Sequence, residues 1–437
     1  MPRALEILFL CHRIPFPPNK GEKIRAHAVL SHLASRHVVH LGCFVDDPAD
    51  MEHAPALQSL VSGECALFPL NKNALYGRAL HALVRGEPIT TSYFGDQRLS
   101  NWVAHILNAR PIHCAYLFGS AMAPYLFDRP EFDPARVVLD MVDIDSDKWL
   151  QYAQNAKIPL KWVYRREAKT LFELERRSAQ QFGATVFVSP FEAQSFVAMA
   201  PEVSGRVYSV ANGVDCGRFS PTLDFPNPFP SGCVPIVMTG AMDYRPNVDG
   251  AIWFSRSVMP LIQREVPNAH FFAVGANPAH GLRAEQGESV TVSGWVADVR
   301  PYIAHARAVV APLRMARGVQ NKVLEAMAME KPVVATNAAS RALSVQPGNH
   351  LWVEDDPVAF AHAVREAVSG AARAEVARNG RRYVELAHDW SRNLADLDVL
   401  LERATGAGSG HILEPEPRVT IDHASISPRT GVMAGGI

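Results

Sequence analysis

Short apolar runs alternate with amphipathic stretches along most of this chain. Ile7-Leu8-Phe9-Leu10-Cys11 is apolar throughout, the pattern of a strand covered by helices on both faces. The stretch to about Ser35 predicts a helix, with Val29, Leu30, Leu33 and Ala34 on one side. Val38 to Phe44 predicts a second strand. This order predicts a parallel sheet with right-handed crossovers. Helices are predicted over Ala74 to Arg85 and Gln97 to Ala109, and strands over Cys114 to Gly119 and Val137 to Asp140. Lys157 to Arg177 reads as a long helix, and Ala184 to Ser189 and Val207 to Ala211 as two more strands.

Phe219 to Pro235 breaks the rhythm with Pro221, Pro226, Pro228, Pro230 and Pro235 around Ser231-Gly232, as an interdomain linker would. The alternation then restarts. Strands are predicted at Ile236–Thr239, His270–Val274, Val290–Ser293 and Ala308–Ala311, with a helix over Val248 to Glu265. Helices follow at Ala359–Ser369, Ala371–His388 and Ser391–Arg403. The expectation is an α/β chain of two doubly wound, Rossmann-like domains, 1–218 and 219–388, with a ligand cleft between them. Residues 389–404 form a last helix. The Gly-, Ser- and Pro-rich stretch 405–437 is expected to be a disordered tail.

The most informative stretch runs from Ala311 to Asn337. It reads as strand, glycine loop, helix from about Val319 to Glu330, turn, and the strand Pro332-Val333-Val334-Ala335. Val319, Val323, Ala326 and Met327 share one face of the helix; Gly318, Asn321, Lys322 and Glu325 share the other. Free N–H groups at a helix start bind phosphate, a lysine adds a point charge, and a carboxylate accepts from a ribose diol. These parts suit a nucleotide diphosphate. An amphipathic crossover helix of any α/β protein would read the same way.

Composition narrows the field. A net charge of −1 over 437 residues gives no nucleic-acid footprint. Cys11, Cys43, Cys65, Cys114, Cys216 and Cys233 form no CxxC pair, so neither a zinc site nor a disulfide framework is suggested, and reduced thiols fit a cytoplasmic protein. The apolar run Ile7–Cys11 is too short for a signal peptide, and no run approaches a membrane span. The stretch Lys157 to Arg177 carries seven basic and three acidic residues, with Trp162, Val163, Leu171, Phe172 and Leu174 interleaved. Such a helix suits either an anionic membrane surface or a packed face with a solvated one. The first loop has no GxGxxG, which argues against a nicotinamide or flavin site.

Lys322-Val323-Leu324-Glu325-Ala326-Met327-Ala328 and Lys331-Pro332-Val333-Val334-Ala335-Thr336 resemble the nucleotide-sugar motif of family 4 GT-B glycosyltransferases. The resemblance covers about residues 5 to 403. It implies that Glu325 binds the donor ribose, and that the loop Arg317-Gly318-Val319-Gln320-Asn321 with Lys322 holds the diphosphate. It implies that the Gly240 loop belongs to the donor site, with Arg245 filling a cationic role, and that Gly294-Trp295-Val296 lies beside the nucleobase; Trp295 itself fits a core position equally well. On the first domain, Gly21 matches a glycine facing donor phosphates and acceptor, with Lys20, Lys23 and Arg25 as further cations. Asp143 matches the second member of a His-Asp pair, and the Ser189-Pro190-Phe191-Glu192 step also matches. The final helix matches one that crosses back to the first domain.

Five positions depart from the family pattern. Glu22 stands for a second glycine, Val142 for the histidine, Ala241 for an arginine, Arg317 for the glutamate eight positions before Glu325, and Glu330 for a glycine. Arg317 therefore contacts sugar hydroxyls, an anionic sugar or the phosphates. The finer match, Arg317 to Lys322 and Asp243 to Asn247, resembles sugar transferases of bacterial exopolysaccharide and PEP-CTERM/exosortase systems. The resemblance implies a retaining, metal-independent transferase without a cofactor. It would move a sugar from a nucleotide-diphosphate sugar to a glycan or lipid-linked acceptor, with possible contact at the inner face of the cell membrane. The alternatives are a nucleotide-sugar epimerase on the same fold, for which His12 is available, and a non-catalytic partner subunit, favoured by Arg317 and Val142.

Overall fold

The computed structural model describes residues 4–18, 21–70, 75–154 and 156–406. Lys20, Ala74 and residues 407–437 of the expected tail lie outside them. The strands are β1 (Glu6–Cys11), β2 (Val38–Val45), β3 (Cys65–Pro69), β4 (Cys114–Phe118), β5 (Val137–Val142), β6 (Ala184–Phe187) and β7 (Val207–Ser209) in one sheet. Its order is β3-β2-β1-β4-β5-β6-β7, and every pairing is parallel. A second sheet holds β8 (Val234–Thr239), β9 (Ala269–Val274), β10 (Val290–Gly294), β11 (Ala308–Ala311), β12 (Val333–Ala335) and β13 (Trp352–Val353). Its order is β10-β9-β8-β11-β12-β13, again all parallel.

The fold follows from the apolar runs. Ile7, Leu8, Phe9 and Leu10 are all fully buried: Leu8 and Leu10 pack in one core cluster, Ile7 and Phe9 in another on the opposite face. A strand so covered needs helices on both sides. Each sheet reverses its order at a central strand pair, β1/β4 and β8/β11, and both switch points open toward the cleft.

The last helix, Trp390–Ala404, is tied to the first domain. Leu394, Leu397, Leu400 and Leu401 belong to the same cluster as Ile7 and Phe9. Asp389 caps it by accepting from the Arg392 N–H at 2.9 Å. Where the chain passes between domains, His388 Nδ1 meets the Asn212 carbonyl at 2.7 Å and Val214 N–H donates to the His388 carbonyl at 2.8 Å. Gly213 lies so close to the Trp390 ring that a Cβ would sit 2.6 Å from it.

Several boundaries differ from the sequence reading. The helix expected over Val248–Glu265 is Arg245–Trp253, a wide turn over Phe254–Val258, and Met259–Gln263. Pro260 has no N–H to donate, and the wide turn, with Met259 N–H on the Phe254 carbonyl, absorbs the mismatch. The basic helix starts at Leu160, after Pro159, and runs to Gln181. The motif helix is shorter than expected, Asn321–Ala328, and ends with Glu330 at φ 53°. Glu330 N–H and Lys331 N–H close that end on the Met327 and Ala326 carbonyls, at 2.9 and 3.0 Å. This left-handed cap explains why a glycine suits the position. Strands β3 and β13 are short and only half-buried, and the apolar pattern did not reveal them.

Candidate active site

The candidate donor side is built at the ends of β8 and β11. Gly240 leaves β8 with φ 149°, and a side chain there would lie 2.7 Å from Asn247 Nδ2 and 3.1 Å from Lys322 Nζ. Its bare backbone therefore lets an amide and an ammonium close over it. Lys322 Nζ donates to Asn247 Oδ1 at 2.5 Å, and Asn247 Nδ2 donates to the Ala241 carbonyl at 2.8 Å. Burial pushes the Lys322 ammonium down to about 8, against the pull of Glu325. Burial raises the Glu325 carboxyl to about 7, opposed by Lys322 and Arg218. Lys322, Asn247 and the Gly240 backbone thus form one polar floor, with the Glu325 carboxylate near enough to act on the Lys322 charge. The sequence reading has Asn247 only as the end of the Asp243–Asn247 stretch and gives it no part in the site; its place just after the Gly240 loop, at the start of a helix, was the available signal.

The loop ahead of the motif helix faces the first domain. Gly318 has φ 61°, and a Cβ there would overlap Asp143 Oδ1 and lie 2.8 Å from Asp143 Cγ. Asp143 Oδ1 is buried without a hydrogen-bond partner, and Oδ2 pairs with Lys148 at 3.1 Å. Asp143 stands after Val142, which has φ 66° in a three-residue turn closed by Asp143 N–H on the Met141 carbonyl at 2.8 Å. A β-branched residue in that region is strained, and such strain concentrates at functional sites. The turn aims the Asp143 carboxylate across the cleft.

Arg317 also points at the first domain. It pairs with Asp147 and, at 3.4 Å, with Glu192. Burial and nearby Arg341 lower it to about 10, with Asp143 opposing, so it stays charged at neutral pH. Glu192 is fully buried. Ser189-Pro190-Phe191-Glu192 has the spacing of a capping box, and Ser189 Oγ does accept from Glu192 N–H at 3.2 Å. The Glu192 carboxylate accepts instead from Ile144 N–H at 3.3 Å and, more loosely, from Gly318 N–H at 3.5 Å. Burial, with Asp143 beside it, raises its carboxyl. In the sequence Glu192 is only the end of a matching step, and nothing there reveals that Glu192 and Asp147 meet Arg317, since that partner lies more than a hundred positions away.

The remaining expected residues divide between the two walls. Gly21 opens the Gly21–Ala34 helix, and a Cβ on it would lie 3.7 Å from Asn321 Nδ2, so the two helix starts face each other. Glu22 pairs with Arg13 at 2.5 Å and His12 at 3.5 Å; burial alone would raise its carboxyl, but these partners hold it well below the usual range. Gln320 Nε2 donates to the Arg317 carbonyl at 2.9 Å, and Val319 packs on the core. Arg245 lies with its guanidinium 5.5 Å from the Tyr152 ring, across the cleft. Trp295 is 75 % exposed and is not a core residue; with Gly294, Ser293, Asn277, Pro278 and Arg283 it lines a cavity of about 450 Å³ beyond β10. Two expected cations are spent elsewhere. Lys23 pairs with Asp50 at 2.6 Å, and Arg25 is buried against Asp140 at 2.8 Å, Val210 and Asn212.

Comparisons with known proteins bear on the fold and on the type of domain. Residues 234–369 match the family model described as glycosyl transferases group 1. No curated protein sequence matches the chain. Among solved structures, sucrose-phosphate synthase from Thermosynechococcus elongatus is similar at 17 % identity and a TM-score of 0.66, over 93 % of this chain and 100 % of that one. WaaG, a glycosyltransferase involved in lipopolysaccharide biosynthesis, is similar at 17 % identity and 0.62, over 90 % and 99 %. Anabaena Alr3699/HepE in complex with UDP-glucose is similar at 15 % identity and 0.62, over 90 % and 98 %. At these identities the likeness establishes the fold. The chain thus has the GT-B architecture, carries a group 1 glycosyl transferase domain over residues 234–369, and is a glycosyltransferase.

Proposed function

We propose that this protein transfers a sugar, with retention of anomeric configuration, from a nucleotide-diphosphate sugar to a glycan or lipid-linked acceptor in exopolysaccharide synthesis. A lipid-linked acceptor would place the work at the inner face of the cell membrane. The observation that carries the reading is the convergence of Lys322, Gly240 and Asn247 on one floor, with Glu325 acting on the Lys322 charge. A diphosphate lying there meets a buried ammonium and the N–H groups at the start of the Asn321–Ala328 helix. Arg245 adds charge by swinging from Tyr152. Bond cleavage at the anomeric carbon leaves negative charge on the diphosphate, and these fixed groups stabilise it without reorganisation. Glu325 accepts from the donor ribose diol. The Trp295 cavity takes the base. Retention follows from attack on the leaving-group face, with the departing phosphate taking the acceptor proton. No metal or cofactor takes part in this scheme.

Arg317 bonds to Asp147 and Glu192, so its charge is already met. This favours a neutral over an anionic donor sugar. The test is a panel of nucleotide sugars, UDP-sugars first because the HepE structure holds UDP-glucose. Binding of one donor, lost in Glu325→Ala, with an α-to-α or β-to-β product by NMR, is the expected result. Absence of binding to every donor by folded protein, or conversion of a donor to its epimer, would overturn it.

A further inference from the structure

The first domain carries a surface that the donor site does not use. Three large apolar side chains stand out at the start of the Leu160–Gln181 helix: Ile158 is 84 % exposed, Leu160 54 % and Trp162 64 %. Lys157, Arg165 and Lys169 are exposed among them, and Lys161 half-exposed. Trp162, Arg165 and Lys169 are spaced three and four apart, which puts the ring and two cations on one stripe. Arg166, one turn past Trp162, donates to the Ala82 and Glu87 carbonyls at 2.8 and 3.0 Å. It thereby seats the end of the Leu75–Arg85 helix alongside. That helix exposes Leu80 (64 %) and Val84 (81 %), one turn apart, with Arg85 beside them. Glu167 is turned inward, accepting from Ile89 and Thr90 N–H at 2.7 and 2.8 Å, so the acidic groups at the margin are Glu87 and Glu173.

We infer that Ile158, Leu160, Trp162, Leu80 and Val84, ringed by Lys157, Lys161, Arg165, Lys169 and Arg85, form a docking surface for an anionic lipid bilayer. The pairing of a tryptophan and branched aliphatics with five cations is the complementarity an anionic headgroup layer supplies: apolar side chains enter the acyl boundary while ammonium and guanidinium groups stay at headgroup level. The same helix backs onto the cleft. Tyr164 packs against Trp149 at 5.4 Å and Tyr152 at 6.3 Å, and Tyr152 carries Arg245 on its ring. Docking therefore holds the acceptor side of the cleft within one helix layer of the bilayer. The inference deepens the proposed reading by placing the acceptor on a membrane lipid.

The test is co-sedimentation of the full chain with phosphatidylcholine vesicles and with equimolar phosphatidylcholine–phosphatidylglycerol vesicles. Nucleoside-diphosphate binding is followed calorimetrically in the same samples. Binding to the mixed vesicles alone is expected, weakening with salt and falling about fivefold for each of Lys157, Lys161, Arg165 and Lys169 changed to Ala. Ile158→Ser/Trp162→Ser should lose vesicle binding and keep its circular dichroism and diphosphate affinity. Equal binding to both vesicle types, no binding to either, a wild-type-like double variant, or dimerisation through the patch would overturn the inference. Because diphosphate affinity is read separately, a failure of docking is distinguished from a failure of the donor reading.

Discussion

Gly318→Ala tests the interdomain contact most directly. The residue has φ 61°, and an alanine held there costs about 1–2 kcal/mol. Its methyl would overlap Asp143 Oδ1 and sit 2.8 Å from Asp143 Cγ, well inside ordinary contact, so either the carboxylate retreats or the loop lifts. Asp143 is held by Lys148 at 3.1 Å, and the loop by Arg317 on Asp147 and Glu192, so neither yields freely. Overpacking of this kind costs about 1–3 kcal/mol. Together the terms predict a loss of roughly 30-fold or more in kcat/KM for the donor, read by release of nucleoside diphosphate. The cause can be isolated with Asp143→Ala. That change removes the overlap but not the backbone strain, so Asp143→Ala/Gly318→Ala should lie about tenfold above the product of the two single effects. A Gly318→Ala enzyme within threefold of wild type, or strict additivity in the cycle, would refute the reasoning.

Other outcomes follow from the buried charges. Lys322→Ala should cut kcat/KM by roughly two orders of magnitude or more, through loss of leaving-group stabilisation, with circular dichroism unchanged. Nucleoside-diphosphate affinity should decline as pH rises through about 8, since Lys322 sheds its proton there in the free protein; titration calorimetry from pH 6.5 to 9.5 checks this. Burial lifts the Glu325 carboxyl to about 7 in the folded protein, from an ordinary value of 4.5. Its contribution to stability is therefore complete below pH 4.5 and lost as pH climbs through 7. Glu325→Gln should flatten that decline and raise the melting temperature at pH 8 by a few degrees, while weakening donor binding. Asn247→Ala should release Lys322 from its 2.5 Å partner and raise KM more than it lowers kcat.

What was legible in the sequence was whatever lies on contiguous residues. The Lys322–Glu325 spacing and the Gly240 turn are local properties of one helix and one strand end, so their meeting in the candidate site was readable. The partners of Arg317 and Arg245 were not. Asp147, Glu192 and Tyr152 reach them only because two separately folded sheets face each other. Lys23 and Arg25 misled for a related reason: a basic residue at a helix start looks free until Asp50 and Asp140, brought by other elements, are seen to neutralise it. The broken helix at Phe254 was visible in principle through Pro260, whose missing N–H demands an adjustment upstream. Exposure of Trp295 was not, since a tryptophan after an apolar strand fits a core and a groove equally well.

The return of the Trp390–Ala404 helix to the first domain has a consequence for how the molecule is made. Leu394, Leu397, Leu400 and Leu401 complete a core begun by Ile7 and Phe9, at opposite ends of the chain. On the ribosome, at about 5–20 residues per second, the last strand of the first sheet emerges roughly 10–40 s before this helix does. During that interval the first domain has an open apolar face while the second domain folds. The amino-terminal domain therefore finishes last, and a nascent chain stalled before Asp389 is expected to engage chaperones through that face.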